Sequence, residues 1–171
     1  NVLGSGQTNG RKFFPAAYNV INRNKYSSIF DIGCGNGFFL NEVKKKYPRI
    51  KIFGSDISSK SIRLSKKIKN IKLIKCDAFN INKWSRWIKN KNRLSNEKSF
   101  LITLWFVIHE ISNNDTQKII NFFNKIYKKF PNATIFVGEL VKPKTSIMVK
   151  NRYASIMPEY MIFHDLSGQG V

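Results

Sequence analysis

The stretch Ile29-Phe30-Asp31-Ile32-Gly33-Cys34-Gly35-Asn36-Gly37 constrains this chain more than any other. A short apolar, β-forming run meets an acid and then three glycines spaced two apart. The amphipathic segment Phe38 to Tyr47 follows, so the local reading is strand, tight turn, helix. Glycine serves two ends in such a turn. The backbone reverses through angles that a Cβ penalises, and a ligand gains close access to the main chain.

The same alternation continues downstream. Phe13 to Asn22 predicts a preceding helix that begins near Pro15, a residue tolerated in a first helical turn. Pro48 marks a stop, and Ile50 to Gly54 predicts a second strand ending at Asp56. Ser59 to Lys69 reads as a lysine-rich amphipathic helix and Ile71 to Lys75 as a third strand, ending in Cys76-Asp77-Ala78-Phe79. Ile81 to Lys89 predicts a helix whose Trp84 and Trp87 read first as core and second as a base-stacking surface. After the polar loop Asn90 to Lys98, Ser99 to Thr103 is a fourth, buried strand, Asp115 to Phe130 a long helix and Thr134 to Gly138 a fifth strand. Strands and helices in alternation imply an α/β fold: a Rossmann-like, doubly wound, mainly parallel sheet with right-handed crossovers and helices on both faces. Strands one, four and five are then adjacent, so His109 and Glu139 are expected to face each other.

A chain of 171 residues is expected to form one domain, at about 100 to 200 residues per domain. Its 42% hydrophobic content and 14 Phe supply a core. No apolar run reaches the roughly 18 residues that crossing a bilayer requires, and the polar N-terminal stretch lacks a secretory pattern. A cytoplasmic setting without membrane insertion is expected. Cys34 and Cys76 read as reduced small hydrophobes, and no metal-type spacing joins them to the two histidines.

The formal net charge of +20 supports two readings. One is a solvated lysine-rich surface reflecting biased composition. The other is an acidic partner such as RNA, a membrane surface or a carrier protein. The acids are more telling. Asp31, Asp56, Asp77, Glu110 and Glu139, half of the ten, each fall at or just after an expected strand end. They gather along one sheet edge and suit a cationic ligand.

Asp-x-Gly-x-Gly-x-Gly after a first strand resembles motif I of the class I S-adenosylmethionine (SAM) dependent methyltransferases. It differs from the Gly-x-Gly-x-x-Gly of dinucleotide-binding proteins. The resemblance runs from about Asn24 to Pro143 through four motifs in order. It implies SAM as cofactor, S-adenosylhomocysteine (SAH) as product, and a binding set of Asp31, Gly33, Gly35, Asp56, Asp77, Ala78, Phe79 and Leu104. In that family the glycine loop lies under the amino-acid part of SAM. Asp56 would bridge the ribose hydroxyls, and Asp77 would accept from the adenine amino group with Phe79 nearby. From the residues alone, Asp56 also reads as a helix N-cap and Asp77 as a turn aspartate.

The run Trp105-Phe106-Val107-Ile108-His109-Glu110-Ile111-Ser112, then a helix and a strand ending in Glu139, resembles small-molecule O-methyltransferases. A His after strand four with a Glu after strand five also resembles the C-methyltransferase domains of polyketide synthases. This resemblance implies His109 as general base, oriented or polarised by Glu139. The acceptor it implies is an oxygen or carbon of a small or carrier-bound, polyketide-type molecule in natural product biosynthesis. Trp105, Tyr160 and His164 are candidate substrate contacts. Met148 to Val171, with its aromatics and methionines, reads as a substrate wall or as a plain amphipathic helix. Two nucleic-acid signatures are missing after strand four: the acidic or Asn residue followed by two prolines and an aromatic, and a nucleophilic cysteine. RNA methylation on ribose and an inactive SAM-fold scaffold stay open.

The family's sheet normally ends with two further strands, which nothing after Val171 provides, so a fragment of a longer protein is expected. The expected division is residues 1–28 as an arm and helix forming a lid, 29–143 as the SAM-binding core and 144–171 as the start of a substrate-side segment.

Overall fold

The computed structural model describes residues 13–92, 99–112 and 115–139. The expected arm at Asn1 to Gly10, most of the polar loop, and Tyr160 and His164 lie outside them. The order of elements is α1 (Phe14–Asn24), β1 (Ser28–Ile32), α2 (Phe38–Lys46), β2 (Lys51–Asp56), α3 (Ser59–Ser65), β3 (Ile71–Lys75), α4 (Ile81–Asn92), β4 (Phe100–Trp105), α5 (Ile108–Ser112), α6 (Thr116–Lys129) and β5 (Thr134–Gly138). The five strands form one parallel sheet in the order β3-β2-β1-β4-β5. Both faces are covered, which is why β1 and β4 read as near-continuous apolar runs.

Register sorts the side chains into layers, because successive residues of a strand point to opposite faces. Ile29, Ile52 and Leu101 are register partners and pack with Phe14, Ala17 and Ile21 of α1 and Phe39, Leu40 and Val43 of α2. One residue on, Phe30, Phe53 and Ile102 pack with Trp84 and Ile88 of α4 and Phe122 and Ile126 of α6. Trp84 is wholly buried, stacked on Phe30 at 4.8 Å, and its Nε1 donates to the Ala78 carbonyl at 3.0 Å. The core reading of Trp84 therefore holds.

Most bounds move by one to three residues, and two boundaries and one element near the site differ in ways that have a physical cause. The third helix stops at Ser65 rather than Lys69, since Asn70 takes a left-handed φ of 65° to turn the chain into β3. The fourth strand runs to Trp105, two residues beyond Thr103, because Leu104 and Trp105 continue its pairing with β5. The short helix α5, which carries His109 and Glu110, was not anticipated as an element of its own. Phe106 makes the turn between β4 and α5 at φ 52°, and its N–H donates to the Gly138 carbonyl at 2.8 Å.

Candidate active site

At the C-terminal ends of the strands lies a cleft of about 460 Å³, the position where open parallel sheets bind ligands. Asp31, Asp56, Asp77 and Glu110 all line it, together with Gly33, Gly35, Ala78 and Trp105. Among its described lining residues there is no Lys or Arg. The cleft is therefore anionic within a strongly basic protein.

Each wall has a local cause. Gly33 sits at φ 72°, and a Cβ there would lie 2.3 Å from Val107 Cγ2, so the glycine serves both the turn and its packing against the segment after β4. At Gly35, φ 53°, a Cβ would meet nothing within 4 Å: the backbone faces open space where a ligand can approach it. Asp56 accepts from the Gly35 N–H at 2.8 Å through Oδ2 and from the Ser58 N–H at 2.7 Å through Oδ1. Each oxygen keeps acceptor capacity for one hydroxyl of a cis-diol. The N-cap of α3 is Ser58, whose side chain accepts from the Ser61 N–H at 3.2 Å, so the capping alternative for Asp56 falls away. Asp77 accepts from the Phe79 N–H at 2.8 Å and also lines the cleft.

Asp31 is only 2% exposed and accepts from Thr103 Oγ1 at 2.6 Å. Burial pushes its carboxyl up to about 7; the Thr103 hydroxyl pulls down and the Asp56 charge pushes up. A cation at this end of the cleft would offset that cost. This donor set, one buried acid, one backbone-pinned carboxylate and an open glycine turn, fits the cationic amino-acid end and the ribose of SAM.

The expected pairing of His109 with Glu139 is present as a contact. His109 Nδ1 lies 2.9 Å from Glu139 Oε1, both side chains being largely buried at 12% and 17% exposure. Glu139 Oε2 accepts from the backbone N–H of Ile108 at 2.8 Å and of His109 at 3.3 Å, so one carboxylate seats both α5 and the imidazole. The hydrogen bond to Glu139 raises the imidazole pKa against the lowering effect of burial. Glu110, the next residue, lines the cleft. Loss of hydration raises its carboxyl; the His109 charge lowers it, and Asp56 and Glu139 raise it.

The side chains of two of the expected cofactor contacts point away from the cleft. Leu104 is wholly buried in the core with Phe30, Ile102 and Phe122, because it shares its strand face with Phe100 and Ile102. Phe79 turns from the cleft toward α6, edge-on to Phe122 at 5.3 Å and with the Lys118 ammonium 4.7 Å from its ring centre. Trp105 does line the cleft, with its indole packed on Gly138, where a Cβ would come within 2.4 Å of the ring. Glu110, counted in the sequence among the acids gathered at strand ends, lines the cleft, as does Phe14 of the helix expected to form a lid; Val107 was not anticipated there.

A family model described as a methyltransferase domain matches residues 23–129, more than half of the chain. The chain belongs to this methyltransferase family, of the class I type whose methyl donor is SAM. A search of curated protein sequences finds no match. Among solved structures, the plantazolicin methyltransferase BpumL, in complex with a triazolic desmethylPZN analog and SAH, is 22% identical with a TM-score of 0.53. The match covers 77% of this chain and 47% of that one. The sugar N-methyltransferase KedS8 from Streptoalloteichus sp ATCC 53650 is 14% identical, with a TM-score of 0.60 over 82% of this chain and 53% of that one. The methyltransferase domain of bacterial CtHen1-CN is 18% identical, with a TM-score of 0.54 over 75% and 65%. At these identities the likeness is one of fold. The chain spans about half the length of the first two structures. No described helix is long and apolar enough to cross a membrane.

Proposed function

We propose that the chain binds SAM along its carboxylate rim and transfers the methyl group to an oxygen or carbon of a small or carrier-bound acceptor. His109 acts as general base and Glu139 as its positioning residue. The observation that carries this reading is the 2.9 Å contact between His109 Nδ1 and Glu139 Oε1, made across the ends of two adjacent strands.

Bound SAM supplies an electrophilic methyl on a sulfonium leaving group, so alignment of the acceptor, worth roughly 7 to 11 kcal/mol in favourable cases, does much of the work. Asp56 would hold the ribose hydroxyls and Asp77 the adenine amino group. Asp31 and the Gly33–Gly35 turn would take the amino-acid end. A carboxylate on Nδ1 leaves Nε2 as the nitrogen that would take the acceptor's proton. Nε2 is buried and His109 is not among the described residues lining the cleft, so the acceptor has to reach it from the Glu110 and Ile111 wall. A base so placed adds about 10²- to 10⁴-fold. Trp105 is the acceptor contact that remains among the described residues, and its Nε1 is a buried donor without a partner among them.

A small acceptor is supported by the cleft itself, since a polyanion would bring phosphates against four carboxylates. It is also supported by the similar structures that act on plantazolicin and on a sugar.

The test is calorimetry of SAM and SAH binding on the full-length protein, with methyl transfer from labelled SAM to a panel of phenolic and carrier-bound acceptors. Replacement of His109 by Ala is expected to lower turnover by about 10²- to 10⁴-fold while SAM affinity stays within a few fold. Loss of SAM binding in this variant would make His109 structural. Full turnover in it, with loss in Glu110→Gln, would move the base to the neighbouring carboxylate. Failure of the wild type to take up SAM or SAH would overturn the whole assignment.

A further inference from the structure

We propose that the outer edge of β3 is a docking site for an extended, acidic peptide segment of a partner protein, which joins the sheet as a further strand. This site is distinct from the cleft and does not depend on its reading. Strand β3 ends the sheet, and among the described residues its outer edge pairs with no strand. Along that edge runs a groove of about 500 Å³. Ile62 and Ile68 of the α3 side form one lip, Trp87 of α4 the other, and Ile71, Lys72 and Leu73 the floor. The lips come from opposite layers: Ile62, Ile71 and Leu73 pack on the core beneath α1 and α2, and Trp87 on the core beneath α4 and α6, edge-on to Phe53 at 6.3 Å. The groove therefore straddles the sheet edge at Ile71 to Leu73. Strand addition needs that geometry: main-chain groups supply affinity, and pockets on the two faces take alternate side chains.

Charge selects the occupant. Lys66, Lys67, Lys69, Lys72 and Lys75 are all exposed, and no Asp or Glu occurs from Ile57 to Cys76. Lysines on an edge strand resist pairing with another copy of the same edge, because like charges meet. They favour a strand whose residues on the Ile71 and Leu73 face are apolar and whose alternate residues, on the Lys72 face, are acidic. Single-stranded nucleic acid is the weaker fit. Trp87 is the one aromatic lining the groove, whereas such binding uses a series of aromatic platforms for successive bases.

The test uses the full-length protein and a short synthetic peptide alternating valine and glutamate, with a valine–lysine peptide and polyuridylate as comparisons. The acidic peptide is expected to bind in a salt-sensitive manner and to slow amide hydrogen exchange across residues 71–75. A Lys66→Glu, Lys72→Glu double variant, at two exposed positions, is expected to keep its circular dichroism spectrum and to weaken binding by about tenfold or more. Absence of binding, binding without protection of 71–75, or binding indifferent to the charge reversal would each overturn the proposal. Polyuridylate that displaces the acidic peptide, and is itself lost in the double variant, would reassign the edge to nucleic acid.

Discussion

Among the described residues, the rim carboxylate after β2, Asp56, is held by main-chain N–H groups alone, whereas Glu139 after β5 is held by two backbone N–H groups and the His109 ring of a different element. Asp56 is pinned by the N–H groups of Gly35 and Ser58, within one strand-turn-helix-strand unit. His109 and Glu139 meet only because β4 and β5 lie side by side after a helix of 14 residues has passed between them. The first half is a backbone device with little freedom to vary, suited to a donor that stays the same. The second joins the backbone and one imidazole of a short helix to a carboxylate at a strand end, so it depends on two elements far apart in the chain keeping their places.

The contrast can be broken most forcefully at Gly33. A Gly33→Val variant would force a β-branched side chain into φ 72° and onto Val107, at an expected cost of about 2 to 5 kcal/mol. Urea denaturation should show that loss together with loss of SAM binding. A variant that keeps both would mean the donor half does not rest on its turn.

A smaller effect is expected at Asp31. Its folded carboxyl is pushed up to about 7, while an unfolded chain releases the proton near about 4. Between those values the folded state holds a proton that the unfolded state has lost. Stability is therefore greatest in acid and falls as pH rises through the window. Asp31→Asn should flatten the fall in denaturation curves taken from pH 4 to 8; an unchanged slope would assign it to another group.

The mildest change sharpens the acceptor half. Glu139→Gln keeps an oxygen for the N–H groups of Ile108 and His109 but removes the charge that raises the imidazole pKa. A base works deprotonated, so wild-type turnover should rise with pH through a value above that of free imidazole. In Glu139→Gln this limb should move to lower pH, with turnover lowered by about tenfold or less. The pair's contribution to stability carries the opposite sense, being full in acid and lost as pH rises through the raised value. A pH limb that does not move would separate Glu139 from catalysis and leave it as the seat of α5.

The parallel sheet was legible because its signals are local: buried runs such as Phe100 to Leu104, the glycine turn at Gly33 to Gly37, and acids at strand ends. Adjacency of β4 and β5 followed from that topology, and with it the His109–Glu139 contact. A motif names neighbours in sequence, while alternation along a strand sends the Leu104 side chain to the core and that of Trp105 to the cleft, which leaves Leu104 its main chain for any cofactor contact. Nothing in the sequence signalled that the Phe79 ring would pack on Phe122, on an element 43 positions further along the chain. Phe14 belonged to a helix expected to form a lid, but that it is the residue on the cleft wall is decided by its packing against Phe39 and Trp105.

By itself the order of residues determined the alternation of strands and helices, the place of the turn and which acids stand at strand ends, since each depends on periodicity or on a single backbone preference. Only the tertiary structure decided which of those acids share a cleft, which aromatics turn away from it, and that the lysines of β3 border an open edge. Those outcomes depend on which surfaces compete for the same space, and that competition is settled across the whole packed sheet.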